Sequence, residues 1–166
     1  GPCRARTAQA DRQRRVARSH VLVVRHGQSE GNVARVWTSA REGYPLTALG
    51  REQARAVGES LVGAGVAAVY GSPLPRARET AEEIGAVVGA PVSVLEGVEE
   101  LHVGHHEGRH DDEVGPIAAE VFGRRWRDGD LSDGFPGGET PARHARAVAK
   151  WIRWWRGGGG GSRHDD

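Results

Sequence analysis

The chain lacks methionine altogether and has one cysteine, Cys3, one lysine, Lys150, two phenylalanines and two tyrosines among 166 residues. A lone cysteine excludes an internal disulfide and any cysteine-based metal centre. No stretch approaches the roughly 18 consecutive apolar residues of a membrane-spanning helix. Residues 21–24, all apolar, are too few for the h-region of a secretory signal. These absences make a cytoplasmic protein with no membrane partner the expectation. The missing methionine, initiator included, points to a processed, trimmed or fragmentary chain. The predominance of Arg over the single Lys reads as codon usage rather than as a function.

What is present fits one globular domain: 37% hydrophobic, 27% charged and a net charge of +1. The charge is uneven. Six arginines and one aspartate in residues 1–20 make that arm +5 and the remainder −4. Two readings stand for the arm: a disordered leader, or a contact for nucleic acid or an anionic surface. No aromatic residue interleaves with its arginines, so the stacking platform of single-strand binders is missing and nucleic acid is not the expected partner. The expected organisation is a leader over 1–19, a domain over 20–156 and a Gly-rich disordered tail over 157–166.

Within the domain, apolar runs alternate with helical periodicity. Residues 21–24 form a β-branched apolar run ended by Arg25 and Gly27, which predicts a buried parallel strand. Thr47 is an N-cap for a helix reaching about Gly63, with Ala54, Val57, Leu61 and Val62 on one face. Residues 66–70 predict a second strand. Residues 74–89 predict a helix with Ala77, Ala81, Ile84 and Val88 inward, and residues 91–95 a third strand. A loop rich in Gly, His and Glu follows, then a helix capped by Asp111 or Asp112 and running towards Trp126. Pro116 suits only the first turn of such a helix. Thr140 caps a last helix to about Trp155, whose apolar stripe is Trp151, Trp154 and Trp155. The alternation predicts an α/β fold, with ligands beyond the carboxyl ends of the strands.

His26 and Ser72 both lie just past such ends. A phosphate ester needs an attacking group and positive partners for its equatorial oxygens. His26 can attack through one ring nitrogen if the other is hydrogen-bonded, and a backbone carbonyl in the following turn would serve. Arg25 offers a planar fork for two phosphate oxygens, and Asn32 a neutral donor. Arg76 opens a helix, where free backbone N–H groups favour an anion. Its cleft-facing and surface-paired readings are evenly matched, whereas Arg78 reads as a surface partner of Glu82. Glu99 and Glu100 follow the third strand; a protonated Glu there could serve the leaving oxygen, or both could be solvated acids. His102, His105, His106 and His110 invite a zinc reading, but their spacing matches no ligand pattern and solvated or fortuitous histidines are expected.

The motifs RHGQSEGN at 25–32, LTALGREQA at 46–54, SPLPRARETA at 72–81, EELHVGHHEG at 99–108 and GGET at 137–140 stand in an order that resembles the histidine phosphatase superfamily, the phosphoglycerate-mutase-like proteins, in its phosphatase branch. The resemblance implies a three-layer sandwich with a mostly parallel central sheet flanked by helices. It implies His26 as the residue that becomes phosphorylated, Glu100 as the proton donor, and Arg25 and Arg76 as phosphate clamps. Asn32 and Gln28 fall where family members contact phosphate or line the entrance. No metal or organic cofactor is implied, and the expected partner is a small phosphorylated metabolite.

One departure qualifies the resemblance. The family's second catalytic histidine sits in a late strand after the helix that GGET introduces; here that helix runs into five glycines. His144 and His164 have no strand before them. The expectation is a C-terminally incomplete sheet with an exposed edge through which chains could oligomerise. Turnover should be impaired by roughly 3–4 kcal/mol of lost transition-state stabilisation. A phosphomonoester hydrolase acting through phosphohistidine therefore stands beside a non-catalytic phospho-ligand or protein-binding pseudoenzyme.

Overall fold

Thr47 accepts a hydrogen bond from Gly50 N through its side chain at 3.0 Å and so starts the longest regular element of the N-terminal half. The computed structural model describes residues 20–132 and 134–156. The expectations for residues 1–19 and 157–166 lie outside the described residues. In chain order the elements are α1 (Glu30–Val33), α2 (Ala48–Ser60), β1 (Val69–Gly71), α3 (Pro75–Val88), β2 (Val92–Val94), a 3-10 turn (Gly104–His106), α4 (Asp111–Glu120) continued by a π-helical turn (Val121–Arg125), and α5 (Pro141–Arg156).

β1, α3 and β2 form a βαβ unit. The strands pair in parallel, with Val69 opposite Val92, Tyr70 opposite Ser93 and Gly71 opposite Val94. Pro75 stands in the first turn of α3, where its missing N–H costs nothing, and Gly89 closes the helix in the left-handed conformation at φ 71°. Helix α3 lies against the strands and against α2. Its inward residues Ala81 and Ile84 are each 4% exposed, and Leu74 before it is 2% exposed. Burying a side chain the size of Ile84 contributes about 1.5–3 kcal/mol. The solvent side of the α2–α3 pair carries an ion-pair ladder: Arg51 to Glu79 at 2.8 Å and to Glu83 at 3.3 Å, and Arg55 to Glu83 at 2.8 Å.

A second core lies in the C-terminal half. Leu101, Val103, Val114, Ala118 and Phe135 are buried together, with Trp37, Phe122 and Trp126 packed against them. α4 is capped by His110, whose Nδ1 accepts from Asp112 N at 3.3 Å, rather than by Asp111 or Asp112. Pro116 lies inside α4, beyond the first turn in which a missing N–H would cost nothing; the helix accepts one lost hydrogen bond there. Thr140 Oγ1 accepts from Arg143 N at 3.3 Å, as an N-cap of α5 should.

The architecture is α/β, a small parallel sheet with helices packed on it, and the sheet is not closed. Among the described residues it has two strands, not three. Residues 21–24, expected as a buried strand, join no ladder, and Val21, Leu22, Val23 and Val24 are 41%, 61%, 92% and 40% exposed. A run that is apolar on every side is buried only when strands flank it and layers cover both faces. No described strand pairs with it. The open sheet also leaves Val92 and Val94 on β2 37% and 51% exposed, and Ile152 and Trp154 on α5 43% and 45% exposed. Trp151 and Trp155 are half-buried, so the expected tryptophan stripe is covered only in part.

Candidate active site

The turn after residues 21–24 crosses the start of α2 at close range. A Cβ on Gly27 would stand 2.3 Å from Gly50 O, and one on Gly50 would stand 2.0 Å from Gln28 O. Only a pair of glycines permits this crossing. It seats Gly27 N on the hydroxyl of Thr80 in α3 at 3.2 Å, while Thr80 Oγ1 donates to Arg76 O at 2.7 Å. Thr80 thus ties the histidine turn to the helix that carries Arg76.

His26 bonds through both ring nitrogens. Nδ1 lies 2.7 Å from Gly27 O, which can accept only from a protonated Nδ1. That fixes the tautomer and leaves the Nε2 lone pair to accept from Arg76 Nε at 3.1 Å. Burial holds the His26 pKa below its usual value; the Gly27 carbonyl pulls upward, Arg76 and Arg25 push further down, and Glu100 pulls upward. The imidazole is therefore neutral at pH 7, the form a nucleophile requires.

Arg76 is 4% exposed, and no described acid forms a salt bridge with it. Its three guanidinium nitrogens divide: Nε on His26, one terminal nitrogen donating to Thr38 O at 3.2 Å, and the other buried without a hydrogen-bond partner. Burial lowers its pKa while Glu100 and Glu107 raise it, and the group stays a cation. The surface-paired reading of Arg76 is closed, because Glu79 and Glu83 are held by the α2 arginines. Arg78 pairs with Glu82 at 3.5 Å.

Arg25, His26, Asn32, Arg76 and Glu100 line one cleft of about 580 Å³. Glu100 is exposed, and its Oε1 accepts from Leu101 N at 3.3 Å. Asn32 completes the cap of α1: its Oδ1 accepts from Ser29 N at 3.0 Å, and Ser29 Oγ accepts from Asn32 N at 3.2 Å. Gln28 is not among the lining residues; its Oε1 accepts from Thr47 Oγ1 at 2.9 Å. Val36, Trp37 and Thr38 bring the loop over 33–45 into the cleft wall, whereas Tyr44 lies against Gly31 and outside the lining.

Sequence reasoning passed over Glu107, which holds that loop. Glu107 Oε2 accepts from Ser39 N at 2.8 Å and Ser39 Oγ at 2.9 Å, and Oε1 accepts from Thr38 Oγ1 and from Ala40 N at 3.3 Å. Ser39 Oγ accepts in turn from Val103 N at 3.1 Å. The Thr38 carbonyl that orients Arg76 therefore rests on a clasped loop. Burial raises the Glu107 pKa, but the hydrogen bonds from Thr38 and Ser39 outweigh it and the net shift is downward. The available signal is its place in the segment EELHVGHHEG at 99–108.

The histidine group disperses. His106 is buried at 8% exposure rather than solvated, and its ring meets Phe135 edge-on at 5.5 Å. No set of three or more His, Cys, Asp or Glu suited to a metal is found among the described residues. No described helix is long and apolar enough to cross a membrane.

The cleft thus brings together a neutral imidazole with a fixed tautomer, a buried guanidinium with a spare donor and a carboxylate. The family model described as the histidine phosphatase superfamily (branch 1) matches residues 21–163, and the chain belongs to that family. It is 37% identical over 121 residues to the "Probable phosphoglycerate mutase GpmB" of Photorhabdus laumondii, covering 73% of this chain and 53% of that protein. The chain thus spans about half the length of the curated relatives it matches. Among solved structures, TTHB049 from Thermus thermophilus superposes with a TM-score of 0.62 at 28% identity, covering 78% of this chain and 69% of that one. The alpha-ribazole phosphatase from Shigella flexneri gives a TM-score of 0.61 at 26% identity, covering 80% and 65%.

Proposed function

We propose that this chain is a phosphomonoester hydrolase, impaired in turnover, that works on a small phosphorylated metabolite through a phosphohistidine. The observation that carries the reading is the buried Arg76 guanidinium, which has one terminal nitrogen unpartnered beside the His26 Nε2 lone pair. A buried donor without an acceptor costs about 1–3 kcal/mol, and an anion at that point removes the cost.

The ester's oxygens bind Arg25 and Arg76, with Asn32 as a neutral donor and Gln28 at the entrance. His26 Nε2 attacks phosphorus in line, forming the N–P bond as the P–O bond to the alcohol breaks. Glu100, in its acid form, gives its proton to the departing oxygen. Water then attacks phosphorus while the Glu100 carboxylate takes its proton, and the N–P electron pair returns to the imidazole. Positioning and charge do the catalytic work, as in phosphoryl transfer generally. The short connection between Glu100 and Gly138 leaves little room for an added segment over the cleft, which favours water over a second metabolite as acceptor.

Among the described residues His26 is the one histidine lining the cleft, and this favours a second reading, a module that binds phosphate esters without turning them over. Incubating the full chain with an aryl phosphate separates the two. Acid-labile phosphate on His26, abolished in His26→Ala and formed faster than product accumulates, is the expected result. Labelling that persists in His26→Ala would refute the phosphohistidine. Saturable phosphate binding with no labelling would establish the non-catalytic reading.

A further inference from the structure

The cleft is far larger than a phosphoryl group requires, and the rest of its lining is not phosphate chemistry. A sphere of its volume is about 10 Å across, the scale of a pocket for a whole organic ligand. Beside the cationic residues it is lined by Trp37, Phe122, Trp126 and Phe135. These rings form one cluster. Trp37 and Phe122 are within 11° of parallel at a centroid distance of 6.5 Å, Phe135 meets both edge-on at 5.8 Å and 5.3 Å, and Trp126 meets Phe122 edge-on at 4.4 Å. Phe135 is buried in the core, whereas Trp37, Phe122 and Trp126 are only half-buried, so they pack on the core and also border the cleft. Phe122 sits in the π-helical turn Val121–Arg125, and Trp126 follows it. Such turns are frequent where a helix serves a site.

The carboxylate beside these rings is already used. Asp111 also lines the cleft, but its Oδ1 accepts from Trp37 Nε1 at 2.8 Å and its Oδ2 from Arg35 at 3.2 Å. Its charge is matched, so the wall does not call for a cationic ligand. The one unpartnered polar atom of the four rings is the buried Trp126 Nε1. A polyol or sugar would leave several hydroxyls without partners there, each a desolvation cost. A flat apolar group loses nothing and gains ring contact.

Resting on the phosphohistidine reading, we propose that Trp37, Phe122 and Trp126 form a substrate subsite that selects phosphomonoesters of aromatic alcohols over those of polyols. The test measures binding to the full chain, by tryptophan quenching and calorimetry, for 1-naphthyl phosphate, glycerol 3-phosphate, inorganic phosphate and 1-naphthol. The expected order places 1-naphthyl phosphate about tenfold or more above both glycerol 3-phosphate and inorganic phosphate. Phe122→Ala should erase most of that preference while leaving inorganic phosphate unchanged, which also reports that the variant is folded. Phe122→Leu, which keeps apolar volume without a ring, should erase part of it. Equal affinity for the two esters, or a preference untouched in both variants, would overturn the subsite while leaving the phosphate site standing. Binding of 1-naphthol as tight as 1-naphthyl phosphate, with no phosphate binding, would overturn the phosphate reading and the proposal with it.

Discussion

Replacing Glu107 by Gln tests whether the clasp at residues 38–40 is what holds the cleft in shape. The carboxylate collects donors on both oxygens: Ser39 N and Ser39 Oγ at 2.8 and 2.9 Å on Oε2, and Ser39 N again at 3.1 Å with Thr38 Oγ1 and Ala40 N on Oε1. The amide of Glu107→Gln would retain an acceptor on one side only. On the other, an NH2 group would face the Ser39 N–H, which is fixed in the backbone, and the Ser39 hydroxyl, which can turn away. The charge-assisted bond from Ser39 N to Oε2 is therefore lost while its longer 3.1 Å contact on Oε1 remains, so the cost lies at the lower end of about 1.5–3 kcal/mol for this half-buried residue. Urea unfolding of the full chain reads this as a lower midpoint at unchanged m-value. The sign of the pH dependence follows from the depressed pKa of Glu107. Its stabilisation is fully present above the unfolded carboxyl pKa of about 4.3 and disappears as pH falls through the lower folded value. The gap between wild type and Glu107→Gln should therefore close in acid. The same substitution frees the Thr38 carbonyl that receives Arg76, so phosphate affinity should fall several-fold. A gap below about 0.5 kcal/mol at pH 7, the size of an ordinary surface substitution, would refute the reasoning. So would a gap that persists unchanged below the folded pKa.

His26 should titrate below its usual pH in NMR spectra, and Arg25→Gln should move it upward by removing a cation's push; movement downward would contradict the assignment of causes. Because the folded pKa lies under the unfolded one, His26 favours folding fully above about pH 6.5 and progressively less below it. A stability gap between wild type and His26→Gln that narrows on acidification from pH 7 is the matching result. Gly50→Ala, which puts a Cβ 2.0 Å from Gln28 O, should cost about 3 kcal/mol of unfolding free energy in urea titrations and weaken phosphate binding with it; a neutral outcome would show that the crossing can open. Val23→Lys, at a 92% exposed position, should leave the melting temperature unchanged and reduce concentration-dependent association in sedimentation; association unaffected by the charge would place the sticky surface elsewhere.

How much can be read in advance follows from how local each signal is. Thr47 and Gly89 bracket α2 and α3 through contacts within a few residues, so their helices are legible. The two short apolar runs on either side of α3 announce β1 and β2 by the same token. The four residues of α1 are too few for periodicity, and its reciprocal Ser29–Asn32 cap becomes recognisable only once seen. Residues 21–24 carry strong strand character, but burial depends on neighbours that no local pattern contains. Arg76 can be assigned to the cleft only by resemblance, since its other reading depends on whether Glu79 and Glu83 are already engaged by α2. Glu107 escapes because its partners stand 67 to 69 positions away.

The hydrogen bond from Arg76 Nε to His26 Nε2 sets the resting chemistry of the cleft. A neutral imidazole with an open lone pair is indiscriminate: it scavenges transition metals and reacts with stray acylating agents. Here the lone pair is sheathed by the guanidinium that, on the proposed reading, an incoming phosphate would recruit. On that reading the anion that brings the electrophile would also be the key that unsheathes the nucleophile. Arg76→Gln should expose the cost of losing this guard, with His26 modified faster by diethyl pyrocarbonate than in the wild type; equal rates would mean that the guanidinium shields nothing.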